Sequence, residues 1–550
     1  MASLARVPPA SRASYYPQMR VTLVSRPAVL PLIALLVASC SKTAGGPAPG
    51  TTPPTPAQPR PALVVLITID QMRPDYYDRF KNQLSGGLAR LFEGSAVFLD
   101  AHHDHAITET APGNATFLSG RFPRSTGITR NLAGVNSTDW PLIGAKDLGA
   151  APFRFRGTTL TDWLTAVDPA TQAFSVSAKD RAAILPIGRS KQEVYWYANN
   201  GLFTTSTWYH DTLPAWVSEF NALKLPHRYA GQAWTTLRPA ADYPEPDSVA
   251  YEGFGRNFMF PHQFPADSAA AAFQVRFSPM VDEMTLRFAL QGLRQQKLGQ
   301  RGATDVLAVS LSATDYIGHF YGPESKEQHD QILRLDRVLG AFLDTLFTLR
   351  DPSTVILVLS ADHGGGFIPE LHGGLRVDMG GAFDAAKAAV KAAGGDSTAL
   401  DIESGAFFVD PAKLGPKGLT VNRVAQVFMA AAKLVPGVLR VDRFDDLVHR
   451  GPGADKIARR WLQMFPDDIL PAAVVTLREG DIYNYPIIAT HGSPHDYDSH
   501  VPLLFYGAPF KPGRYPGFVR TVDLAPTLAS VLHIKPLERL DGRPLTEALR

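Results

Sequence analysis

Three apolar runs of this chain end in side chains that hold metals or move protons. "STVILVLSADHGGG" ends on adjacent Asp362 and His363, "ALVVLITID" on Asp70, and "ATDVLAVSLSATD" on Asp315. Two more histidines join them. His319 lies four residues after Asp315, so on a helical turn the two face the same way. His491 stands just before a further apolar run, "HVPLLFYG". Three aspartates and three histidines without a thiolate are oxygen and imidazole ligands, a set that suits zinc in an open, catalytic site. Six ligands are too many for one tetrahedral ion and fit two ions with three each. Singly, each piece has an ordinary reading: a strand-end aspartate caps a loop, Asp-x-x-x-His makes a helix hydrogen bond, and Asp-His-Gly-Gly makes a turn. Their joint occurrence at the ends of strand-like runs is what points to a metal centre. His495 and His500, in the same "THGSPHDYDSH" stretch, compete with His491 for the sixth position.

A nucleophile and two cations accompany these ligands. "ITETAPGNATFLSG" places Thr110 at the start of a short helix. A hydroxyl there is commonly a helix cap. The same position offers backbone N–H groups and a positive dipole end to an anion, and zinc beside the hydroxyl would lower its pKa and activate it. In "SVSAKDRAAI", Lys179 and Arg181 are two apart, so on an extended segment both point to one face. Arginine grips two anionic oxygens in a fork and lysine acts as a point charge, which suits a substrate with several charged oxygens. The ordinary alternative is a solvated surface pair. "AHHDHA" (His102, His103, His105) invites a further metal reading, and His372 in "ELHGG" has no assigned role.

The elements that must position these residues alternate. The four apolar runs are continuous rather than alternating, the mark of central strands covered on both faces. Between them lie helical patterns, "GGLARLFEG", "KEQHDQILRLDRVLGAFLDTLFTL" and "DLAPTLASVLHI". This predicts an α/β fold with a mostly parallel central sheet and helices on both faces. Ligands bind such sheets at the carboxyl ends of the strands, where the polar residues fall. Residues near 185–280 and 380–490 break the alternation and read as insertions that could form a cap.

With 550 residues, 45% hydrophobic and 19% charged, the chain is ordinary for a globular protein with a large core. The formal net charge of +2 and the lack of a long basic run argue against nucleic acid as a partner. "RVTLVSRPAVLPLIALLVASCSK" has basic residues, an apolar stretch too short to span a bilayer, then small residues before Cys40, the only cysteine. "VASC" resembles the lipobox of bacterial lipoproteins, which implies cleavage before Cys40, lipidation of its thiol and, with Ser41 following, outer-membrane sorting. The expected location is a membrane-anchored domain facing the periplasm, or the periplasm itself. An ordinary secretory signal is the alternative. Met19 opens a more typical signal, so residues 1–40 are assigned to it with a start at Met19. Residues 41–61, rich in Pro, Gly and Thr, read as a tether, and the folded domain runs over 62–550.

Together, "IDQMRPDY", "TETAPGNATFLSGRFPRSTGITRN", "SAKDRAAI", "DYIGHFYGP", "SADHGGG" and "HGSPHDYDSHVPLLFYG" resemble the alkaline phosphatase superfamily. The likeness is to its phosphate-irrepressible, threonine-nucleophile branch, related to type I phosphodiesterases and nucleotide pyrophosphatases. The resemblance implies two zinc ions. Asp315, His319 and His491 would hold one; Asp70, Asp362 and His363, with Thr110, would hold the other. It implies that Thr110 attacks phosphorus and forms a phosphothreonine. Asn131, in "GITRN", would join Lys179 and Arg181 on the non-bridging oxygens of a phosphate monoester. His491 is preferred over His495 and His500 because the motif places the ligand directly before Gly492. The family pattern does not use His102, His103 or His105. Where relatives often read Gly-His, this chain has Gly113-Asn114, a departure expected to matter little.

The expected activity is therefore hydrolysis of small phosphate monoesters. The alternative is a phosphodiesterase or nucleotide pyrophosphatase with the same metals, disfavoured because a diester has one charge less and a substituent that would clash with Lys179 and Arg181. A sulfatase is disfavoured because no Cys or Ser sits in a formylglycine-type motif. An inactive surface lipoprotein is disfavoured because every ligand and the nucleophile are present.

Overall fold

The computed structural model describes residues 60–449 and 454–550; the signal segment, Cys40 and most of the tether lie outside them. The large sheet has nine strands. In chain order they are β1 (Leu63–Ile69), β2 (Ala96–His102), β3 (Ala173–Ser177), β4 (Glu193–Tyr197), β5 (Phe203–Thr204), β6 (Asp305–Leu311), β7 (Val355–Ser360), β8 (His500–Tyr506) and β9 (Gly513–Arg520). Their order across the sheet is β9-β2-β8-β7-β1-β6-β3-β4-β5. β1 pairs in parallel with β6 and β7, and β3 with β6 and β4, whereas β8 is antiparallel to both β7 and β2. The architecture is the expected mostly parallel α/β sheet.

The apolar runs explain why β1 is central. All seven of its residues are buried. Leu63, Val65, Ile67 and Ile69 join one core, while Val64 and Leu66 join the core on the other face. Each such side chain is worth about 1.5–3 kcal/mol of burial, and the one polar residue of the strand, Thr68, is buried near its carboxyl end. The first core packs against a long helix (Lys326–Leu349) through Ile332, Leu335, Leu339, Phe342 and Leu346, spaced by threes and fours. Ser325 caps this helix by accepting from the Gln328 N–H. The second core packs against Phe117, Leu164 and Leu528 from three other helices.

A smaller antiparallel sheet stands apart from the first. Its strands run in the order Leu400–Glu403, Ala406–Val409, Ala473–Leu477, Val438–Arg443. Helices Gly380–Ala392 and Val421–Ala432 share its core. Its first hairpin turns on Ser404 and Gly405, both at positive φ (48° and 83°), as a tight two-residue loop requires. A Cβ on Gly405 would meet Val475 O and the Tyr483 hydroxyl at 2.4 Å, so glycine is needed there. Among the described residues, no helix is long and apolar enough to cross a membrane.

Candidate active site

The polar ends of β1, β6 and β7 meet at one edge of the sheet. Asp70 follows β1 directly and Asp362-His363 follow β7, separated from it by Ala361. Asp315 is not at a strand end: the chain turns after β6 into a helix, Ala313–Tyr321, which carries Asp315 and His319 one turn apart. Asp282 holds that helix start by accepting from the Ala313 N–H at 3.0 Å. His491 reaches the same edge because β8 runs against its neighbours, so residues that precede it lie where the parallel strands end.

Asp70, Asp362 and His363 are fully buried, and Asp315 is 1% exposed. Ligand atoms of Asp70, Asp362 and His363 cluster within 4.8 Å of one another, as do those of Asp315, His363 and His491. His319 Nε2 lies 3.2 Å from Asp315 Oδ1, and His491 Nε2 lies 3.4 Å from the same oxygen. The rings of His363 and His491 stack at 3.5 Å. All six predicted ligand residues therefore come together around Asp315.

The three histidines share one feature. Nδ1 of His319 donates to Ala489 O at 2.7 Å, Nδ1 of His363 to Gly364 O at 2.8 Å, and Nδ1 of His491 to Thr108 O at 2.8 Å. A carbonyl oxygen only accepts, so in each neutral ring the proton sits on Nδ1 and Nε2 presents a lone pair. Each Nε2 therefore faces a carboxylate oxygen, an acceptor against an acceptor. Asp70 Oδ1 and His363 Nε2 lack a hydrogen-bond partner although buried, and Asp70 Oδ2 has only an ion pair with Lys179 Nζ at 2.7 Å. Buried acceptors facing one another are costly without a cation between them, and backbone carbonyls fixing the tautomer are how metal-bound histidines are held. Without such a cation, burial would lower His363, but the Asp362 and Asp70 carboxylates outweigh it and push it up to about 9. Burial, then His363, takes His491 down to about 3. Burial, then the charge of Asp70, raises Asp362. The residues present fit divalent metal ions.

Thr110 begins the helix Thr110–Phe117, whose residues are all buried. This helix packs on the end of β7 so closely that a Cβ on Gly113 would lie 1.9 Å from Asp362 O. Lys179 Nζ is 3.4 Å from Thr110 Oγ1, 2.7 Å from Asp70 Oδ2 and 2.5 Å from Asp315 Oδ2. Burial would lower its pKa, but those two carboxylates outweigh it and raise it. The extended segment expected for Lys179 and Arg181 is absent. The chain enters a helix at Asp180, so Lys179 precedes the helix and Arg181 lies in its first turn. Arg181, 27% exposed, pairs with Asp180 at 3.6 Å and feels the charges of Asp70 and Asp315. Asn131 Oδ1 accepts from the Ala111 N–H at 2.9 Å, which places its amide beside Thr110.

The competing histidines sit elsewhere. His495 bonds to Leu477 O at 2.8 Å and His500 to Leu99 O at 2.9 Å. His103 bonds to Ala361 O, His102 to Asp100, and His372 to Glu324. Neither nitrogen of the buried His105 has a partner.

Several residues escaped the sequence reading. Gln71, held at φ 61°, gives its N–H to Asp362 and its side-chain amide to Asp315 at 3.1 Å. Asn114 donates from Nδ2 to Asp362 Oδ2 at 2.8 Å and to Thr110 O at 3.0 Å, so the departure at this position does touch the site. Glu109 accepts from the Asn131 N–H at 2.7 Å and from the Ser404 hydroxyl, tying the small sheet to the residue before Thr110. The only signal for Gln71 is a polar residue directly after a motif ligand, and for Asn114 the departure from Gly-His at its position, expected to matter little; periodicity interprets neither.

A buried cluster of metal-ligand side chains at the carboxyl edge of an α/β sheet, with a hydroxyl at a helix start, defines a metal-dependent hydrolase. The chain belongs to the type I phosphodiesterase / nucleotide pyrophosphatase family, whose model matches residues 64–379. It is 32% identical over 91% of its length to alkaline phosphatase PhoV of Synechococcus elongatus, covering 95% of that protein. It is 30% identical over 90% of its length to alkaline phosphatase PafA of Elizabethkingia meningoseptica, covering 96% of it. The crystal structure of PafA superposes with a TM-score of 0.82 at 29% identity, covering 90% of this chain and all of that one. A PafA variant of equal TM-score carries substitutions of a threonine, an asparagine, a lysine and an arginine.

Proposed function

We propose that this chain is an alkaline phosphatase that hydrolyses phosphate monoesters at a site of two zinc ions, with Thr110 as nucleophile. The observation that carries the reading is the set of three Nε2 lone pairs and three buried carboxylates converging beside the Thr110 hydroxyl. Asp70, Asp362 and His363 would hold one ion near Thr110; Asp315, His319 and His491 would hold the other. Bound there, the ions supply charge that offsets the carboxylates, lowers a hydroxyl pKa and stabilises a leaving oxygen. Thr110 Oγ1 bonds to phosphorus as the ester oxygen departs with its alcohol. Water then cleaves the phosphothreonine, releasing phosphate and restoring the hydroxyl.

Lys179, whose Nζ is 3.4 Å from Thr110 Oγ1, would grip the non-bridging oxygens together with Arg181 and Asn131. The four residue types altered in the PafA variant recur here with the same spacing within each pair, Thr110 to Asn131 and Lys179 to Arg181. A dianionic monoester uses both cations; a diester brings less charge and an extra group. The test compares kcat/KM for an aryl phosphate and its methyl diester, in wild type and in Lys179→Ala/Arg181→Ala. Preference for the monoester, lost mainly in the variant, supports the reading. Preference for the diester, or equal loss on both substrates, overturns it. Export with a lipid anchor at Cys40, which would place the site on the periplasmic side of a membrane, is supported by the signal-like segment alone, and mass analysis of the Cys40 peptide tests it.

A further inference from the structure

A cavity of about 220 Å³ opens beside the site, bounded by His319, His491 and Asn131 but not by Asp70, Asp362, His363 or Lys179. In-line attack by Thr110 sends the leaving oxygen to the side opposite its hydroxyl. On the functional reading above, on which this inference rests, that is the side of His319 and His491. Whatever the leaving oxygen carries therefore enters this cavity.

Its walls are chemically specific. Val475, Leu477, Ile482, Tyr483, Tyr485 and Ile487, all from the small sheet and the segment that follows it, line it. A closed apolar cavity of about 150 Å³ takes a benzene ring, so this space fits a planar ring and part of a substituent. Tyr485 also lines the cavity and is 43% exposed, so part of its ring is open to an occupant. The charged residues that line the cavity are Glu109, Asp481 and Asp498, with no lysine or arginine among them. A leaving group with a carboxylate or second phosphate would find no lysine or arginine among the lining residues to pair with and would face three carboxyl groups, of which Asp481 is already paired with Arg478 at 2.9 Å.

We propose that this cavity is a leaving-group subsite for uncharged, ring-bearing alcohols, and that it selects nucleoside-type monoesters over small acyclic and anionic ones. The test uses alkyl monoesters of similar intrinsic reactivity on the zinc-loaded enzyme: adenosine 5′-monophosphate, glycerol phosphate and 3-phosphoglycerate. The expected order of kcat/KM is adenosine monophosphate first, by about tenfold, with phosphoglycerate last. In Tyr485→Ala the preference for adenosine monophosphate over glycerol phosphate falls about tenfold, carried in KM, and Tyr485→Phe restores it. Adenosine competes with glycerol phosphate in wild type, and less well in Tyr485→Ala. Equal kcat/KM for adenosine and glycerol monophosphates, or a preference ratio that Tyr485→Ala leaves untouched, overturns the subsite. If no monoester is turned over, the functional reading fails separately. Calorimetric binding of adenosine, weakened by Tyr485→Ala, would then still support the cavity as a ring site, and absence of that binding would overturn it.

Discussion

Replacing Asn114 by alanine should loosen the metal centre without touching a metal ligand. Its Nδ2 donates at 2.8 Å to Asp362 Oδ2, in a position with no solvent access. That is one charge-assisted bond, worth about 1.5–3 kcal/mol. Nδ2 also donates to Thr110 O at 3.0 Å, so the same amide ties the nucleophile's helix turn to the ligand. Its Oδ1 has no partner, so nothing else is lost on that side. Partners that orient a metal ligand typically change affinity by about 10–100-fold, which agrees with a bond of that strength. The assay is a zinc titration of the metal-stripped protein, followed by activity and by melting temperature. Asn114→Ala should need about 10–100-fold more zinc for half-maximal activity. Asn114→Asp should be worse, since it sets a second carboxylate against Asp362. If alanine lowers the melting temperature equally with and without zinc and leaves the zinc midpoint in place, the bond is only structural and the reasoning fails.

Other perturbations probe the same structure. Gly113→Ala puts a Cβ 1.9 Å from Asp362 O; it should shift the Thr110 helix and lower kcat by about a hundredfold, and wild-type kcat would show the approach is slack. Dialysis against a chelator should lower the melting temperature, since an ion at about 1,000 times its Kd stabilises by about 4 kcal/mol; added zinc should restore it, and an unchanged melting curve would remove the cation from the buried carboxylates. Glu252 is pushed up to about 9 by burial, then by Glu327 and Asp247. Above its ordinary pKa the folded state retains a proton that the unfolded chain releases, so its stability cost grows as pH rises toward 9. Glu252→Gln should raise the melting temperature at pH 8–9 and leave it unchanged near pH 4; a shift of equal size at both pH values contradicts the assignment.

What could be read from the sequence follows from what periodicity encodes. Continuous apolar runs identify strands buried on both faces, because Val64 and Leu66 serve one core while Val65 and Ile67 serve the other. Ligand residues at the ends of such runs are legible because parallel strands deliver their carboxyl ends to one edge. The direction of β8 is not legible: "HVPLLFYG" reads the same either way, yet only its antiparallel course lets His491 reach Asp315 from before the strand. Nor is the local conformation at "SAKDRAAI", where a helix beginning at Asp180 replaces the extended segment and separates the settings of Lys179 and Arg181. Gln71 and Asn114 stay hidden for a third reason. Each acts on residues more than 240 positions away in the chain, and a single polar residue carries no periodic signal of such a contact. The carbonyls that fix the three imidazole tautomers are less visible still, because any residue type supplies one. The identity of the ligands is thus local information, whereas the direction in which each lone pair points is set by backbone brought in from elsewhere, and that direction turns six polar residues into a place for cations.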